Sequence, residues 1–376
     1  MASKSFNLSS ALLRPQRDFE NLEVFPAELN AHGSYSTERF VLRLSPKVHS
    51  ILATVGEEDS LPLEQVKPEV LQAYSTFIHE TIHWWQHKGS TSGLILSLQY
   101  PSIAYNNSHD IRQILQETGP KKSLKAWAET EARAGRADAE LARLNTCVNN
   151  VMDAEFFVAL TLKPPAIKTI SENVYFESLG HCYFIAYAQS VSLLADIGDP
   201  NFARIPNPGQ WEAGYTRARD AGIDGFSRDK TVHVAPMGLR SLYEGQARFA
   251  QLQYLTFPFG ATPTIDELRA RGMFADVYGE AFEGFLRATG ANPKSIDDPA
   301  VALFMLVIDI AKNPTRGIPF DIECFEDFII DADPGIRFLR LCQVIRDEPY
   351  LLKVIKHYSY QEYMDVDRAF DGGLQL

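Results

Sequence analysis

The segment FIHETIHWWQHKG, at residues 77–89, holds three of the nine histidines of this chain. His79, His83 and His87 are spaced four residues apart, and Glu80 directly follows the first of them. In an α-helix this spacing places His79 and His83 one turn apart on the same face, so their ring nitrogens can converge on one metal ion. Glu80 would lie beside that ion and could take a proton from a water molecule that attacks a carbonyl. The pattern therefore indicates a hydrolytic metal site.

The third histidine of the segment is placed differently. His87 lies two turns beyond His79, about 12 Å along the helix axis. An ion held between His79 and His83 is too far away for it. We therefore expect His87 to support the site or to be a polar residue near the helix end, where Gly89 is the predicted stop.

The same predicted helix, over about 68–87, also carries an apolar face that could pack against a core. The members of this face are Leu71, Tyr74, Ile78, Ile82 and Trp85. Trp84 and Trp85 are predicted to anchor the helix in the core, and an aromatic wall beside a substrate is the alternative. A purely structural helix is the alternative to the metal site, although each buried imidazole would then need hydrogen-bond partners.

A catalytic zinc ion commonly has three protein ligands and one open position, so a third ligand must come from elsewhere in the chain. Glu129 and Glu131 lie in a predicted helix that is charged nearly all round, which favours a solvated face for both. Glu177 lies in an apolar setting with His181 one turn later, and these two residues could satisfy each other.

Glu244 is a further candidate for the third ligand. It lies in LRSLYEGQARFAQLQYL, where apolar residues surround it. A buried carboxylate is costly unless it is paired or bound to a metal. Arg248, one turn later, is the alternative partner. Gly245 beside it would permit close packing of helices.

The combination of HExxH with a later helix that carries EGxA resembles the gluzincin branch of zinc metallopeptidases. The matching positions are His79, Glu80, His83, Glu244, Gly245 and Ala247. The resemblance implies that His79, His83 and Glu244 bind zinc and that Glu80 is the general base. It also implies an edge strand that pairs with an extended peptide, for which RFVLRLS, from Arg39, is the candidate.

The chain departs from the gluzincin pattern in two respects. Arg248 stands where many members of that group have an acidic residue, and Glu244 lies 161 positions beyond His83, a longer separation than in most of them. The resemblance covers two helices and one strand. The remainder of the chain would be an inserted or appended helical region.

Peptide hydrolysis also needs a donor that stabilises the developing oxyanion. His233, in TVHVAPMG just before the predicted Glu244 helix, is the preferred candidate for this catalytic role. Tyr243, His181 and Tyr175 are the alternatives.

The composition is that of an ordinary globular protein. In 376 residues, 36 Lys and Arg face 48 Asp and Glu, which gives a net charge of −12. A nucleic-acid partner is not expected, because such binding depends on clustered basic residues. The four cysteines are far apart and form no CxxC pair, which fits reduced thiols in a cytoplasmic protein. No apolar run is long enough for a signal peptide or a membrane span, so no membrane association is expected.

The predicted fold is mainly α with a small N-terminal β element (α+β): a zincin-like core with a large helical insertion or extension. One domain is expected over 1–376, with zincin-like elements at about 36–90 and 236–256 and a helical remainder at 91–235 and 257–376. Helical segments are predicted to begin near Lys121, Ser171, Pro236, Thr264 and Pro299.

These observations predict a zinc-dependent hydrolase, in particular a metallopeptidase that acts on a peptide or protein substrate with Zn²⁺ as its cofactor. Two alternatives stay open. One is a metalloenzyme with zinc or iron at the same His/His/Glu site that performs other chemistry, since imidazole and carboxylate also suit iron. The other is a non-enzymatic helical binding protein with a structural metal.

Overall fold

The computed structural model describes residues 33–36, 41–55, 66–227, 234–257, 260, 262–314, 322 and 324–374. This part of the chain is mostly helical, with a small two-stranded antiparallel sheet near the N-terminus. The prediction of a mainly α protein with a small N-terminal β element is confirmed at this level.

The elements follow in chain order. The strands are β1 Gly33–Ser36 and β2 Val41–Leu44. The helices are α1 Pro46–Leu52, α2 Pro68–Lys88, α3 Thr91–Asn106, α4 Ser108–Thr118, α5 Leu124–Arg133, α6 Ala139–Leu162, α7 Ile167–Ile170, α8 Leu179–Gly198, α9 Glu212–Asp220, α10 Leu239–Thr256, α11 Ile265–Ala270, α12 Val277–Thr289, α13 Pro299–Ala311, α14 Phe328–Ala332, α15 Pro334–Asp347 and α16 Tyr360–Leu374.

The strands form a hairpin that packs on the motif helix α2. Gly33 pairs with Leu44 and Ser36 pairs with Val41. The strand predicted in RFVLRLS is confirmed over Val41–Leu44. Its partner β1, with the sequence GSYS, was not predicted, because glycine and serine have little intrinsic preference for strands.

The chain divides into two compact units. The first contains the described residues of Met1–Ser90, Leu239–Lys312 and Phe338–Leu376, and the second contains those of Thr91–Gly238 and Asn313–Arg337. The expectation of one domain over 1–376 stays a prediction.

In the first unit, α10 lies at the centre and packs against α2 and α12. Most of its residues are buried, and Phe249 is the aromatic centre of the core. The rings around it are Phe274, Phe282 and Phe304, and Phe338 extends the cluster through Phe304. An added Cβ at Gly245 would lie 3.3 Å from the Ala281 Cβ, so the small residue lets α10 and α12 approach closely. This core fixes α10 beside α2.

In the second unit, α8 packs against α3 and α6, with Tyr183 and Tyr187 fully buried. The helix predicted from Ser171 begins only at Leu179, because the Ser178 side chain caps it by accepting a hydrogen bond from the His181 amide. The helical stretch predicted from Lys121 is two helices, α5 and α6, separated by a turn with Gly135 at φ 84°.

No helix in the described part of the chain combines the length and apolarity needed to cross a bilayer. The run predicted as a buried helix near Pro299 is α13, and its side chains Val301, Leu303, Phe304, Val307 and Ile308 are all buried.

Candidate metal centre

Helix α2 turns its polar side inward. Pro68 occupies its first turn, where a missing amide hydrogen costs nothing, and Gly89 follows its last residue. The buried residues are Gln72, Ala73, Ser75, Thr76, His79, Glu80, Gln86 and His87. Two members of the predicted apolar face are exposed, Tyr74 at 39% and Trp85 at 58%, and its other members, Leu71, Ile78 and Ile82, are half-buried. The prediction that Trp84 and Trp85 both anchor the core is therefore wrong for Trp85, and Trp84 is only half-buried, because the face with His79 and Glu80 packs inward instead.

Three potential ligand atoms converge between α2 and α10. The Nε2 atoms of His79 and His83 lie 3.1 Å apart. An oxygen of the Glu244 carboxylate lies 3.2 Å from His79 Nε2 and 3.5 Å from His83 Nε2. These three residues form the only such group of potential metal ligands among the described residues. The structure thus brings together the two motif histidines and the glutamate that was preferred as the third ligand.

The spacing of these atoms fits a metal ion. A tetrahedral ion with bonds of about 2.0–2.1 Å requires neighbouring ligand atoms about 3.3–3.4 Å apart, close to the three observed distances. The Nδ1 atom of His79 is also buried without a hydrogen-bond partner, so Nε2 is the ring nitrogen through which His79 makes its polar interactions. Nitrogen and oxygen lone pairs that face each other this closely need a shared proton or a cation between them.

The alternative pairing of Glu244 with Arg248 is not what the structure contains. The Arg248 guanidinium lies 4.0 Å from the centre of the Tyr278 ring and donates a hydrogen bond to Gln251. The Glu244 carboxylate faces the two histidines. Arg248 therefore leaves the carboxylate available for a metal while adding positive charge nearby.

The electrostatics of the three residues show how they would share a proton in the absence of a metal. Burial lowers the pKa of His79 to about 4, against the opposing effect of Glu244. Burial opposes the charged form of His83 as well, but Glu244, Glu80 and Gln86 outweigh it and raise its pKa to about 9. Burial would raise the pKa of Glu244, yet hydrogen bonds from His79 and His83 hold it well below its usual value. A cation at this place would replace the proton held by His83.

Glu80 is buried next to the three potential ligands, with 6% of its surface exposed. Burial raises its pKa to about 7, with His83 acting against the shift and Glu244 adding to it. A carboxylate with a pKa near neutrality is well suited to accept and return a proton. A bound cation would favour its ionised form.

Strand β1 covers the Glu80 side chain. A Cβ added at Gly33 would lie 2.5 Å from Glu80 Cγ and 2.6 Å from Glu80 Oε1. Real Cβ contacts essentially never are this short, so with any other residue at this position either β1 or the Glu80 side chain would have to shift. Sequence reasoning missed Gly33, since a single glycine ahead of an unpredicted strand gives no local signal.

His87 does not belong to the group of potential metal ligands, as its position along the helix predicted. Its ring stacks on Tyr35 of β1 at 5.4 Å and meets the edge of Tyr243 at 5.1 Å. Through Tyr35 it fixes the hairpin on α2, and through Tyr243 it fixes α2 on α10. His87 therefore belongs to the framework that positions Gly33 over Glu80.

Tyr278, on α12, is the aromatic residue of the site that sequence reasoning missed. Its ring lies 5.9 Å from the His79 ring. Its pKa is raised to about 12, first by burial and then by Glu244 and Glu80, against the effect of Arg248. The hydroxyl therefore keeps its proton and lies in the field of both carboxylates. Its segment had been predicted only as part of a helix from Thr264, which breaks at Gly272.

The oxyanion donors considered from the sequence have other roles or lie outside the described residues. His233 lies outside the described residues. The Tyr243 hydroxyl donates to the Gln86 carbonyl and also contacts Ser90. In the second unit, His181 contacts Asp153 and Glu177, and the Tyr175 hydroxyl donates to Glu129.

The other glutamates considered as ligands have partners of their own in the second unit. Glu131 forms an ion pair with Arg136, at 3.4 Å. Glu177 accepts a hydrogen bond from the Tyr215 hydroxyl at 3.0 Å and lies 3.7 Å from His181. Neither belongs to a group of converging ligand atoms in the part of the chain that the structure describes.

No model of a protein family, no curated protein and no solved structure matches this chain.

Proposed function

We propose that this protein is a zinc-dependent hydrolase, in particular a metallopeptidase, with His79, His83 and Glu244 as the metal ligands. The observation that carries the proposal is the convergence of the three ligand atoms, all within 4.8 Å of one another. They come from two helices whose contributing residues are 161 or more positions apart in the sequence. A carboxylate next to two imidazoles gives a donor set that zinc uses in catalytic sites.

Glu80 is the general base in this proposal. It directly follows a ligand in the sequence, its carboxylate is buried, and its pKa is raised to about 7. It takes a proton from the attacking water and returns it to the leaving amine. Zinc, when bound, acidifies the water and polarises the substrate carbonyl. A structural metal would not require Glu80, so its presence favours catalysis over a purely structural role.

Tyr278 is the proposed donor to the developing oxyanion. Its phenol is protonated at neutral pH, since its pKa is raised to about 12, and its ring lies beside His79. Hydrogen-bond donors placed where charge develops typically contribute about a hundredfold or more to the rate. His233, which the sequence suggested for this role, lies outside the described residues.

The hairpin supports a peptide as substrate. Strand β1 lies over Glu80 and pairs with β2 along one edge. Among the described strands, nothing pairs with its other edge. An extended peptide could add there by main-chain hydrogen bonds, which would hold its carbonyl near the site.

The resemblance to gluzincins extends this proposal to the fold. It is supported by the HExxH helix, the EGxA helix and the hairpin that packs on α2. On this proposal the first unit is the zincin-like core and the second unit is the large helical insertion. Arg248, the position at which the chain departs from the gluzincin pattern, stacks on Tyr278 and so could position the donor.

The test combines metal analysis with one substitution. Wild-type protein and Glu80→Gln, purified without chelators or metal-affinity steps, are compared by elemental analysis and then with a library of peptides. We expect one equivalent of zinc in both proteins and peptide hydrolysis by the wild type alone. Loss of a general base should reduce the rate by about 10²–10⁴-fold.

Other outcomes would redirect or overturn the proposal. Iron in place of zinc would indicate redox chemistry at the same ligands, since the same donor set suits iron. Equal hydrolysis by Glu80→Gln and the wild type would remove Glu80 from the mechanism. Absence of any metal after zinc supplementation would overturn the metal site itself.

A further inference from the structure

Behind His83, on the side away from the other ligands, the first unit contains a chain of buried polar side chains. The Nδ1 atom of His83 lies 2.8 Å from the Oε1 atom of Gln86, one turn later on α2. Gln86 is 1% exposed and Gln246, on α10, is 6% exposed. Polar groups are costly to bury unless their hydrogen bonds are satisfied. The hydrogen bonds of these buried side chains therefore have to be accounted for one by one.

The orientation of the Gln86 amide follows from its partners. Its Nε2 donates to the Tyr243 carbonyl at 3.0 Å and to the Gln246 Oε1 at 2.9 Å. The Tyr243 carbonyl can only accept a hydrogen bond, so the amide nitrogen of Gln86 must lie on that side. Its Oε1 atom must then face His83. Because that oxygen can only accept, the Nδ1 atom of His83 must carry the hydrogen.

Gln246 is oriented in the same way from its other side. Lys312, buried to 7% exposure, donates to Gln246 Oε1 at 2.9 Å and pairs with Asp309 at 2.5 Å. The Gln246 Nε2 donates to Asp309 at 2.8 Å. An ammonium group can only donate and a carboxylate can only accept, so the Gln246 amide has one permitted orientation. Its oxygen therefore accepts from both Lys312 and Gln86.

We infer that Gln86 is the positioning residue of this site, and that it presents the Nε2 lone pair of His83 to the metal by holding the hydrogen on Nδ1. Gln246 and the Lys312–Asp309 pair keep Gln86 in the required orientation. The inference rests on the proposed metal site and adds a residue that the HExxH pattern does not contain. Outer partners of this kind typically change metal affinity by about 10–100-fold when they are removed.

The experiment measures zinc affinity, by competition with a chelator, in the wild type, Gln86→Met and Gln86→Glu. Methionine matches glutamine in length but cannot accept the hydrogen from Nδ1, so we expect zinc affinity to fall about 10–100-fold. Glutamate keeps an acceptor for Nδ1, so Gln86→Glu should bind zinc at least as tightly as the wild type even if it is less stable. Affinity in Gln86→Met equal to that of the wild type, or weak binding by both variants, would overturn the inference.

Gln251→Met is the matched control. Gln251 lies on α10, is 3% exposed, and bonds to Ser75 and Arg248, not to His83. We expect its zinc affinity to stay within about threefold of the wild type, far less than the effect of an outer ligand partner. If Gln251→Met and Gln86→Met lose affinity equally, general loosening of the core explains the result and the inference fails.

A measurement on the wild type covers the case in which Gln86→Met does not fold. In histidine ¹⁵N NMR spectra of the zinc-loaded protein, His83 should bind through Nε2 and show a slowly exchanging hydrogen on Nδ1. Binding through Nδ1 would overturn the inference while leaving the metal site intact. A wild type that binds no zinc would overturn the proposed function, and the inference with it.

Discussion

Two clusters of histidine and carboxylate, one in each unit, differ in the direction in which their ring nitrogens point. In the second unit, His181 Nδ1 lies 3.2 Å from Asp153 and its Nε2 lies 3.7 Å from Glu177, so the two nitrogens serve two separate carboxylates. In the first unit, the Nε2 atoms of His79 and His83 and one oxygen of Glu244 point at a common centre.

The difference indicates which histidines are candidates for function. Each nitrogen of His181 has its own acidic partner, and Glu177 also accepts a hydrogen bond from Tyr215. Such a cluster satisfies itself and can stabilise a fold without any ligand. In the cluster of His79 and His83, lone pairs of the two Nε2 atoms and of the Glu244 oxygen face each other, and only a proton or a cation between them removes their repulsion. Both clusters include an i, i+4 pair, so spacing alone does not separate them.

The largest expected effect comes from the same substitution in both clusters. Asparagine retains a donor near the place of the histidine Nδ1 and lacks Nε2. His83→Asn keeps the contact with Gln86 and removes a proposed ligand, so zinc affinity should fall on the order of several hundredfold, roughly one ligand's share of a zinc binding free energy. His181→Asn keeps the contact with Asp153 and should bind zinc like the wild type. Zinc titration with a chelator measures both.

The comparison between the clusters would break if the two variants behaved alike. Equal zinc affinity in His83→Asn and the wild type would mean that convergence of ligand atoms does not identify the metal site. Loss of zinc in His181→Asn would mean that the second cluster is required for metal binding. Circular dichroism of each variant establishes that it is folded before either conclusion is drawn.

The next effect concerns Gly33, whose main chain lies over the proposed general base Glu80. Gly33→Ala places a Cβ where the Glu80 side chain lies, so either the strand or the carboxylate must move. A displacement of about 1 Å can reduce catalysis on the order of a hundredfold. Zinc content should not change, because Glu80 is not a ligand. Hydrolysis of a peptide found in the library, measured beside zinc content, tests this.

Ser34→Ala is the control for Gly33→Ala. Neighbouring residues of a strand point to opposite faces, so the Ser34 side chain does not point the same way as an added Cβ at Gly33. We expect Ser34→Ala to keep most of the activity. Full activity in Gly33→Ala would show that β1 can shift without displacing Glu80. It would contradict the role of the hairpin in positioning Glu80.

The sequence was informative about which residues form the site and uninformative about what surrounds them. The spacing of His79 and His83 and the apolar surroundings of Glu244 predicted residues that lie together in the structure. Periodicity shows which residues share a face of α2, but not which face packs inward. Tyr74 and Trp85 were therefore placed in the core, whereas both are exposed.

The missed features depend on contacts between distant parts of the chain. Gly33 lies over Glu80, and Tyr278 lies beside His79. No pattern within the local sequence around any of these residues indicates either contact. Gln86 stands three residues after His83, and its partner Gln246 lies 160 positions away. The breaks at Gly135 and Gly272 were missed for a different reason: strong helix formers surround both glycines.

A smaller effect tests the claim that the second cluster is structural. Asp153 is 2% exposed and pairs with His181, and removing it leaves a half-buried histidine with one partner fewer. Asp153→Ala should lower the free energy of unfolding by about 1.5–3 kcal/mol, the usual contribution of a hydrogen bond to a charged group. Urea denaturation measures the loss. Zinc affinity should be unchanged, and a large fall in it would contradict the separation of roles.

The smallest effect is a pH dependence that only the first cluster should have. In the zinc-free protein the pKa of His83 is raised to about 9, so this residue holds a proton at neutral pH. Zinc must displace that proton, so apparent affinity should rise about tenfold per pH unit between pH 7 and 9 and level off above. His79, with a pKa lowered to about 4, adds no proton in this range.

Below about pH 7 the rise in zinc affinity should be steeper, because a bound cation also favours ionisation of Glu80, whose pKa is about 7. Glu80→Gln should remove this extra steepness, and His181→Asn should leave the whole profile as it is. A zinc affinity that does not change between pH 7 and 9 would mean that no proton is shared among the three converging side chains.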